Sequence, residues 1–271
     1  MKKQYLISLA LLIQSSFAFS QEENWDVYMA QYEKGVGSTI INMSLKNSAP
    51  IKEFPYMLKT GVKLINCSVE GLPAKEEFDV LYAISDKVKS VIDSNLKNKA
   101  VGTFSYQCER IDYYYVSDTN RIRKLLESAY QKNFPDYKYS ITFRKDSSWE
   151  AYLEFLYPNE ETYEYMTNDK VILNLIKEGD DLSKLRQVDH WLYFKSEADR
   201  DNFIPFAVLE KYKVESKEFL KDSKLKYKLQ ISRMDKVDVG SISKITLELR
   251  KKAKQLNGVY DGWETFVIRS K

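Results

Sequence analysis

The sequence predicts an α+β protein of two ferredoxin-like (βαββαβ) domains, the first with an extra N-terminal hairpin, joined by a helix. Three observations lead there. Segments of alternating polarity and segments with apolar residues three and four apart follow one another as strand, helix, strand, strand, helix, strand. That order occurs twice. Composition is that of a folded chain, with 44% hydrophobic and 30% charged residues among 271.

Taken in order, residues 25–45 predict a hairpin turning at Gly35-Val36-Gly37. Residues 57–69 form the next strand, interrupted at Gly61. Gly71-Leu72-Pro73 then announces a helix with Glu76, Glu77 and Asp79 in its first turns and Phe78, Leu81, Val88 and Ile92 on one face. Residues 100–109 and 111–116 are two strands with a tight join. Asp118 or Thr119 caps a helix striped by Ile122, Leu125, Leu126 and Ala129, followed by a strand over 137–144 and a short helix over 147–156.

In the second half a strand spans 188–194, and Ser196 with Asp199 opens a helix that carries Pro205. Strands follow at 214–220 and 227–234. Asp238 caps a helix with Ile242, Ile245, Leu249, Ala253 and Leu256, Gly258 ends it, and 259–268 is the last strand, bulged at Asp261-Gly262. Between the halves, residues 159–187 are mostly a helix ending at Gly179, too apolar on one side for a free linker. The predicted divisions are 1–20, 21–158, 159–187 and 188–271.

The first of these reads as a secretory signal peptide: Lys2 and Lys3, an apolar stretch, then Ala18 and Ser20 as a small-x-small cleavage site. Gln14, Ser15 and Ser16 interrupt the stretch well short of the about 20 apolar residues of a membrane span. The expected product is periplasmic or secreted, with no membrane span after cleavage. Loss of Lys2 and Lys3 takes the formal net charge from +3 to +1. So small a charge provides no field for nucleic acid or an anionic membrane.

The second half resembles the family of regulator of ribonuclease E activity B, through GDDLSKLRQVDHWLYF (179–194), SRMDKVDVGSI (232–242) and GVYDGWE (258–264). The first half looks like an uncharacterised family often found fused before it, through GLPAKEEFDVL (71–81), VGTFSYQCERIDYYYV (101–116), NFPDY (133–137) and WEAYLEFLYP (149–158). The resemblance implies a non-catalytic binding or regulatory module with a protein partner. The chain departs from the family's namesake, which acts on a cytoplasmic nuclease, in carrying a leader and in not being markedly acidic.

The chemistry absent from the sequence is informative. With one histidine, two distant cysteines and no Cys-x-x-Cys, neither a zinc site nor a redox pair is predicted. No P-loop, Rossmann turn, nucleophile elbow or EF-hand loop occurs. The expectation is therefore no catalytic residue, no metal and no cofactor. The rival reading is a carboxylate-dependent hydrolase of envelope or extracellular polymers, although no pair of acids stands out.

The positive candidates lie in the second domain. Alternation puts His190 on the face of Val188, Leu192 and Phe194, predicting a structural histidine rather than a base. Trp191 and Tyr193 take the opposite, open face, and Trp263 is placed beside them on the last strand. His190 and Asp261 are the polar residues set aside as structural or site residues. Tyr113 and Tyr115, or alternatively Tyr114, hold the equivalent place in the first domain. Such rings form either a binding surface or a seam with the other domain or the connecting helix, the seam being preferred.

Cys67 and Cys108 are predicted to end the first two strands of the βαββαβ unit, with the third strand between them. Strands two apart are about 9.6 Å from each other, against the roughly 4.4–6.8 Å of bridged cysteine Cα atoms, so no disulfide is expected. If the opening hairpin supplied the first strand instead, the two cysteines would become neighbours.

Overall fold

Alternating side chains in β1 (Trp25–Tyr32) and β2 (Gly35–Asn42) zip into an antiparallel hairpin, Tyr32 facing Gly35 across the turn. It opens the computed structural model, which describes residues 23–269. The leader predicted over 1–20 lies outside the described residues. The chain divides into two compact units, one running through Leu156 and the other starting at Tyr157. Both combine helices with an antiparallel sheet.

In the first unit the hairpin is followed by β3 (Tyr56–Lys63), α1 (Phe78–Asp93), β4 (Asn98–Tyr106), β5 (Glu109–Val116), α2 (Ile122–Asn133) and β6 (Tyr139–Lys145). The sheet order is β1-β2-β4-β5-β3-β6, antiparallel throughout. Leu81, Ile84, Val88 and Ile92 of α1 and Ile122, Leu126 and Tyr130 of α2 pack onto Leu58, Val62, Tyr114, Val116 and Ile141 of the sheet. Gly61 lets β3 and β5 approach, because a Cβ there would fall on the Arg110 carbonyl oxygen.

The other face of this sheet is covered too. A π-helical segment, Ala151–Leu156, lies where the sequence predicts a short helix. Just before it the buried Trp149 ring stacks on Tyr115, centroids 4.1 Å apart, and its Nε1 donates to the Phe54 carbonyl at 3.0 Å. The Tyr152 hydroxyl donates to the Asn42 carbonyl at 2.7 Å, and Tyr28 donates to the Leu156 carbonyl at 2.9 Å. Tyr113 and Tyr115 therefore do point away from α1 and α2, but onto this segment, while Tyr114 belongs to the helix-side core.

The cysteine expectation is overturned: Cys67 and Cys108 form a disulfide, Cα atoms 5.5 Å apart. The third strand, β5, does run between β3 and β4. The error lies in where the cysteines sit. β3 stops at Lys63, and Cys67 lies in the loop beyond, where the buried Glu77 carboxylate accepts the N–H groups of Ile65 and Asn66. Gln107 and Cys108, with φ of 50° and 60°, form the two-residue turn of the β4–β5 hairpin. Cys108 thus stands at the head of β5, the strand beside β3, and Leu64 N–H donates to its carbonyl at 2.8 Å.

The second unit begins with α3 (Glu160–Lys177), capped by the Asn159 side chain and closed near Gly179 at φ +79°. Then come β7 (Arg186–Phe194), α4 (Glu197–Leu209), β8 (Lys213–Phe219), β9 (Tyr227–Asp235), α5 (Val239–Gln255) and β10 (Gly258–Glu264). The sheet order is β10-β7-β9-β8, again antiparallel. Ser196 and Asp238 cap α4 and α5 as their side chains predict. Phe203 and Ala207 of α4 and Leu249 and Ala253 of α5 pack on Leu192, Phe194, Leu229 and Ile231. Ile172 and Leu175 of α3 join Val188, Val237 and Ile242.

Candidate functional site

The site is built from the period of β7. Val188, His190, Leu192 and Phe194 are completely buried under the helices, so Asp189, Trp191 and Tyr193 emerge, half-buried, on the face that carries none of the unit's helices. Register extends this face across the sheet. Trp191 lies opposite Gln230 and Tyr193 opposite Lys228 on β9; these in turn face Ser216 and Glu218 on β8. Polar groups around the two rings hold one another. Gln230 Nε2 donates to Asp189 Oδ1 at 3.1 Å, Lys228 Nζ to Glu218 at 3.3 Å, and Ser232 Oγ to Glu215 at 2.6 Å. The result is a pair of half-buried aromatic rings set among hydrogen-bonded polar side chains.

Trp263 is not part of it. Tyr260 pairs with Leu192 but Gly262 with Trp191, so Asp261 is the extra residue of a bulge and is exposed. One inserted residue moves every later side chain to the other face. Trp263 accordingly lies opposite His190, packs against the cluster of Ile172, Leu175 and Val188, and donates its Nε1 hydrogen to Asn168 Oδ1 at 2.8 Å. The Asp261-Gly262 bulge was legible in the sequence; its effect on Trp263 required the register.

His190 is fully enclosed. Its Nδ1 is 3.0 Å from the Tyr260 hydroxyl, Nε2 has no partner, and the Tyr212 ring meets it edge-on. Burial, with Arg233 nearby, pushes its ionisation down to about 3, so the ring is neutral near pH 7.

Among the buried polar groups that the sequence did not single out, two in the second unit organise its helices and termini. Asn168 of α3 donates to Ser243 Oγ at 3.0 Å and Thr246 Oγ1 at 2.9 Å on α5, besides receiving Trp263. Its signal was position alone, four and seven residues before Ile172 and Leu175 on one helical face. The other is Arg186, ion-paired with Asp180, both side chains without exposure. Asp180 also accepts the Ile268 N–H at 2.8 Å, tying the chain beyond β10 to the start of β7.

Comparison with known proteins divides the chain at the same place. Residues 23–157 match a family described as of unknown function (DUF695). Residues 166–265 match the family described as Regulator of ribonuclease activity B. The chain thus joins a domain of that uncharacterised family to a C-terminal domain of the regulator family. No curated protein matches it. Among solved structures, a candidate glycine cleavage system transcriptional repressor aligns at 11% identity over 78% of this chain and 98% of its own, with a TM-score of 0.24. An unknown protein from Galdieria sulphuraria aligns at 9% identity over 79% and 100%, with a TM-score of 0.22. Likeness this slight carries no argument about fold or function.

Proposed function

We propose that this is an exported, non-catalytic regulatory protein whose second unit presents the β7–β9 face, centred on Trp191 and Tyr193, to a protein partner. One observation carries the reading: two large aromatic side chains stand half-exposed on a sheet face that bears none of the unit's helices. The regulator family of the C-terminal domain fits it. Both strand orders fit ferredoxin-like units, a fold that leaves one sheet face free. Export rests on the leader motif, and a disulfide in the first unit suits an oxidising compartment. No helix of the described residues is long and apolar enough to cross a membrane. The hydrolase alternative gains nothing at this face, where Asp189, Glu215 and Glu218 are each engaged by Gln, Ser or Lys side chains.

The test uses the protein from residue 21 onward as bait in an envelope extract, beside the Trp191→Ala/Tyr193→Ala double variant. The expected result is a partner retained by the first and lost by the second at equal thermal stability. Equal recovery by both would place the contact elsewhere.

A further inference from the structure

The first unit contains a cavity that its core does not explain. Beyond the reach of α1, β1 and β2 extend the helix-side face of the sheet as a ledge. Register lines up Met29, Ser38, Ser105 and Arg110 in one row across four strands, and Val27, Ile40, Thr103 and Asp112 in the next. Phe78 and Tyr82, one helical turn apart on α1, form the opposite wall, and Leu72-Pro73 lines it as well. The groove encloses about 590 Å³, within the roughly 300–1,000 Å³ of small-molecule sites. Its surface is mainly apolar, from Trp25, Val27, Met29, Ile40, Phe78 and Tyr82.

Arg110 lines this groove and is only 7% exposed. Its guanidinium forms no ion pair with any described residue, Nε has no hydrogen-bond partner, and the Tyr82 ring lies 5.6 Å from its centre. The nearby acid, Asp112, is attracted by it but forms no ion pair with it. Asp112 instead accepts from Ser85 Oγ at 2.8 Å and Thr103 Oγ1 at 2.7 Å. Burial, outweighing the attraction of Arg110, raises the Asp112 carboxyl above its ordinary value. Asp26, the other acid of the groove, lies on β1 and accepts the Val27 N–H at 2.9 Å. An arginine this buried normally meets an anion, because an uncompensated charge out of water is costly.

We infer that the groove between α1 and the β1–β2 ledge binds a small amphipathic monocarboxylate, its carboxylate on Arg110 and its apolar body along Val27, Met29, Ile40 and Phe78. The guanidinium offers the planar pair of donors that suits a carboxylate. The hydroxyls of Ser38 and Ser105 line the same groove beside it. Straight-chain and aryl acids share this chemistry. The site is independent of the sheet face proposed above, since it lies wholly within the first unit.

Calorimetric titration of the whole chain with octanoate, phenylacetate, 1-octanol and acetate tests this, with Trp25 fluorescence as a second readout. The expected result is saturable one-site binding of octanoate or phenylacetate at least tenfold tighter than of octanol, and none of acetate. Arg110→Met should erase the preference for acid over alcohol while keeping octanol affinity. Met29→Trp, which fills the groove without touching Arg110, should abolish both. Octanol binding as well as octanoate, no saturable binding by folded protein, or octanoate affinity unchanged in either variant would overturn the inference.

Discussion

The two units share a strand order but finish their sheets differently. In the first, the four strands β6-β3-β5-β4 are widened by the hairpin, and the face away from the helices is sealed by Trp149, Tyr152 and Leu156. In the second, β10-β7-β9-β8 gains a third helix on the side already covered, and its other face keeps Trp191 and Tyr193 among paired polar groups. Aromatic rings on the equivalent face of the two sheets therefore have different physical roles. Tyr115 is core because a later segment lies on it, whereas Trp191 stays half-buried on a face that carries no helix among the described residues of its unit.

The largest expected effect tests the sealed face. Trp149→Ala removes a fully buried ring, its stacking on Tyr115 and its bond to the Phe54 carbonyl, and should cost the first unit about 3–5 kcal/mol. Urea denaturation followed by hydrogen exchange would read the loss unit by unit. A cost below about 1 kcal/mol would remove the distinction drawn here.

The disulfide should be felt in the first unit alone. Replacing Cys67 and Cys108 by serine opens a loop of sequence separation 41 and should cost about 2–4 kcal/mol there. The second unit's exchange protection should not move. Thiol counting on the unfolded, unreduced protein should find no free thiol.

Acid should separate the units next. His190 has its ionisation lowered from 6.5 to about 3, so below pH 6.5 the unfolded chain takes up a proton that the folded one refuses. Its contribution is complete above about 6.5 and is lost as the pH falls towards 3, about 2–3 kcal/mol of it by pH 4.5. His190→Ala, less stable at pH 7, should lack this slope. Asp112 in the first unit has the opposite sign: raised by burial, it costs stability as pH climbs from the ordinary carboxylate range through its folded value. Asp112→Asn should therefore help the first unit more at pH 7 than at pH 4. Denaturation midpoints at the two pH values would show both effects.

The smallest effect sharpens the comparison from the other side. Trp191→Ala should cost the second unit less than about 1 kcal/mol, since the ring lies on a half-exposed sheet face. A loss as large as that of Trp149→Ala, measured in the same denaturant series, would mean that this face too is covered.

Several features were legible because their causes are local. Ser196 and Asp238 begin helices since their side chains accept a nearby N–H, wherever those helices later pack. The burial of His190 followed from alternation with Val188, Leu192 and Phe194. Gly179 ended α3 by adopting a positive φ open to glycine.

Trp263 shows where such reasoning stops. Asp261-Gly262 announced a bulge, yet which residues beyond it change face depends on pairing with β7, a strand some seventy residues earlier in the chain. The same holds for Cys108. A tight join between two strands was plain, but moving the turn onto Gln107-Cys108 carries the cysteine from the second strand to the head of the third. Arg110 had no signal at all in sequence. Its isolation depends on Asp112 being engaged by Ser85 and Thr103, and on a ledge that α1 does not cover.

By itself the sequence determined the order of helices and strands, the capped starts of α4 and α5, the buried side of β7 and the two-part family membership, all set by residue spacing and by neighbours a few positions away. Only the tertiary structure decided the disulfide, the face of Trp263, the sealing of Tyr115 and the absence of an ion pair at Arg110 among the described residues. Each of those depends on which distant strand or segment comes alongside, a competition among long-range contacts that no local pattern encodes.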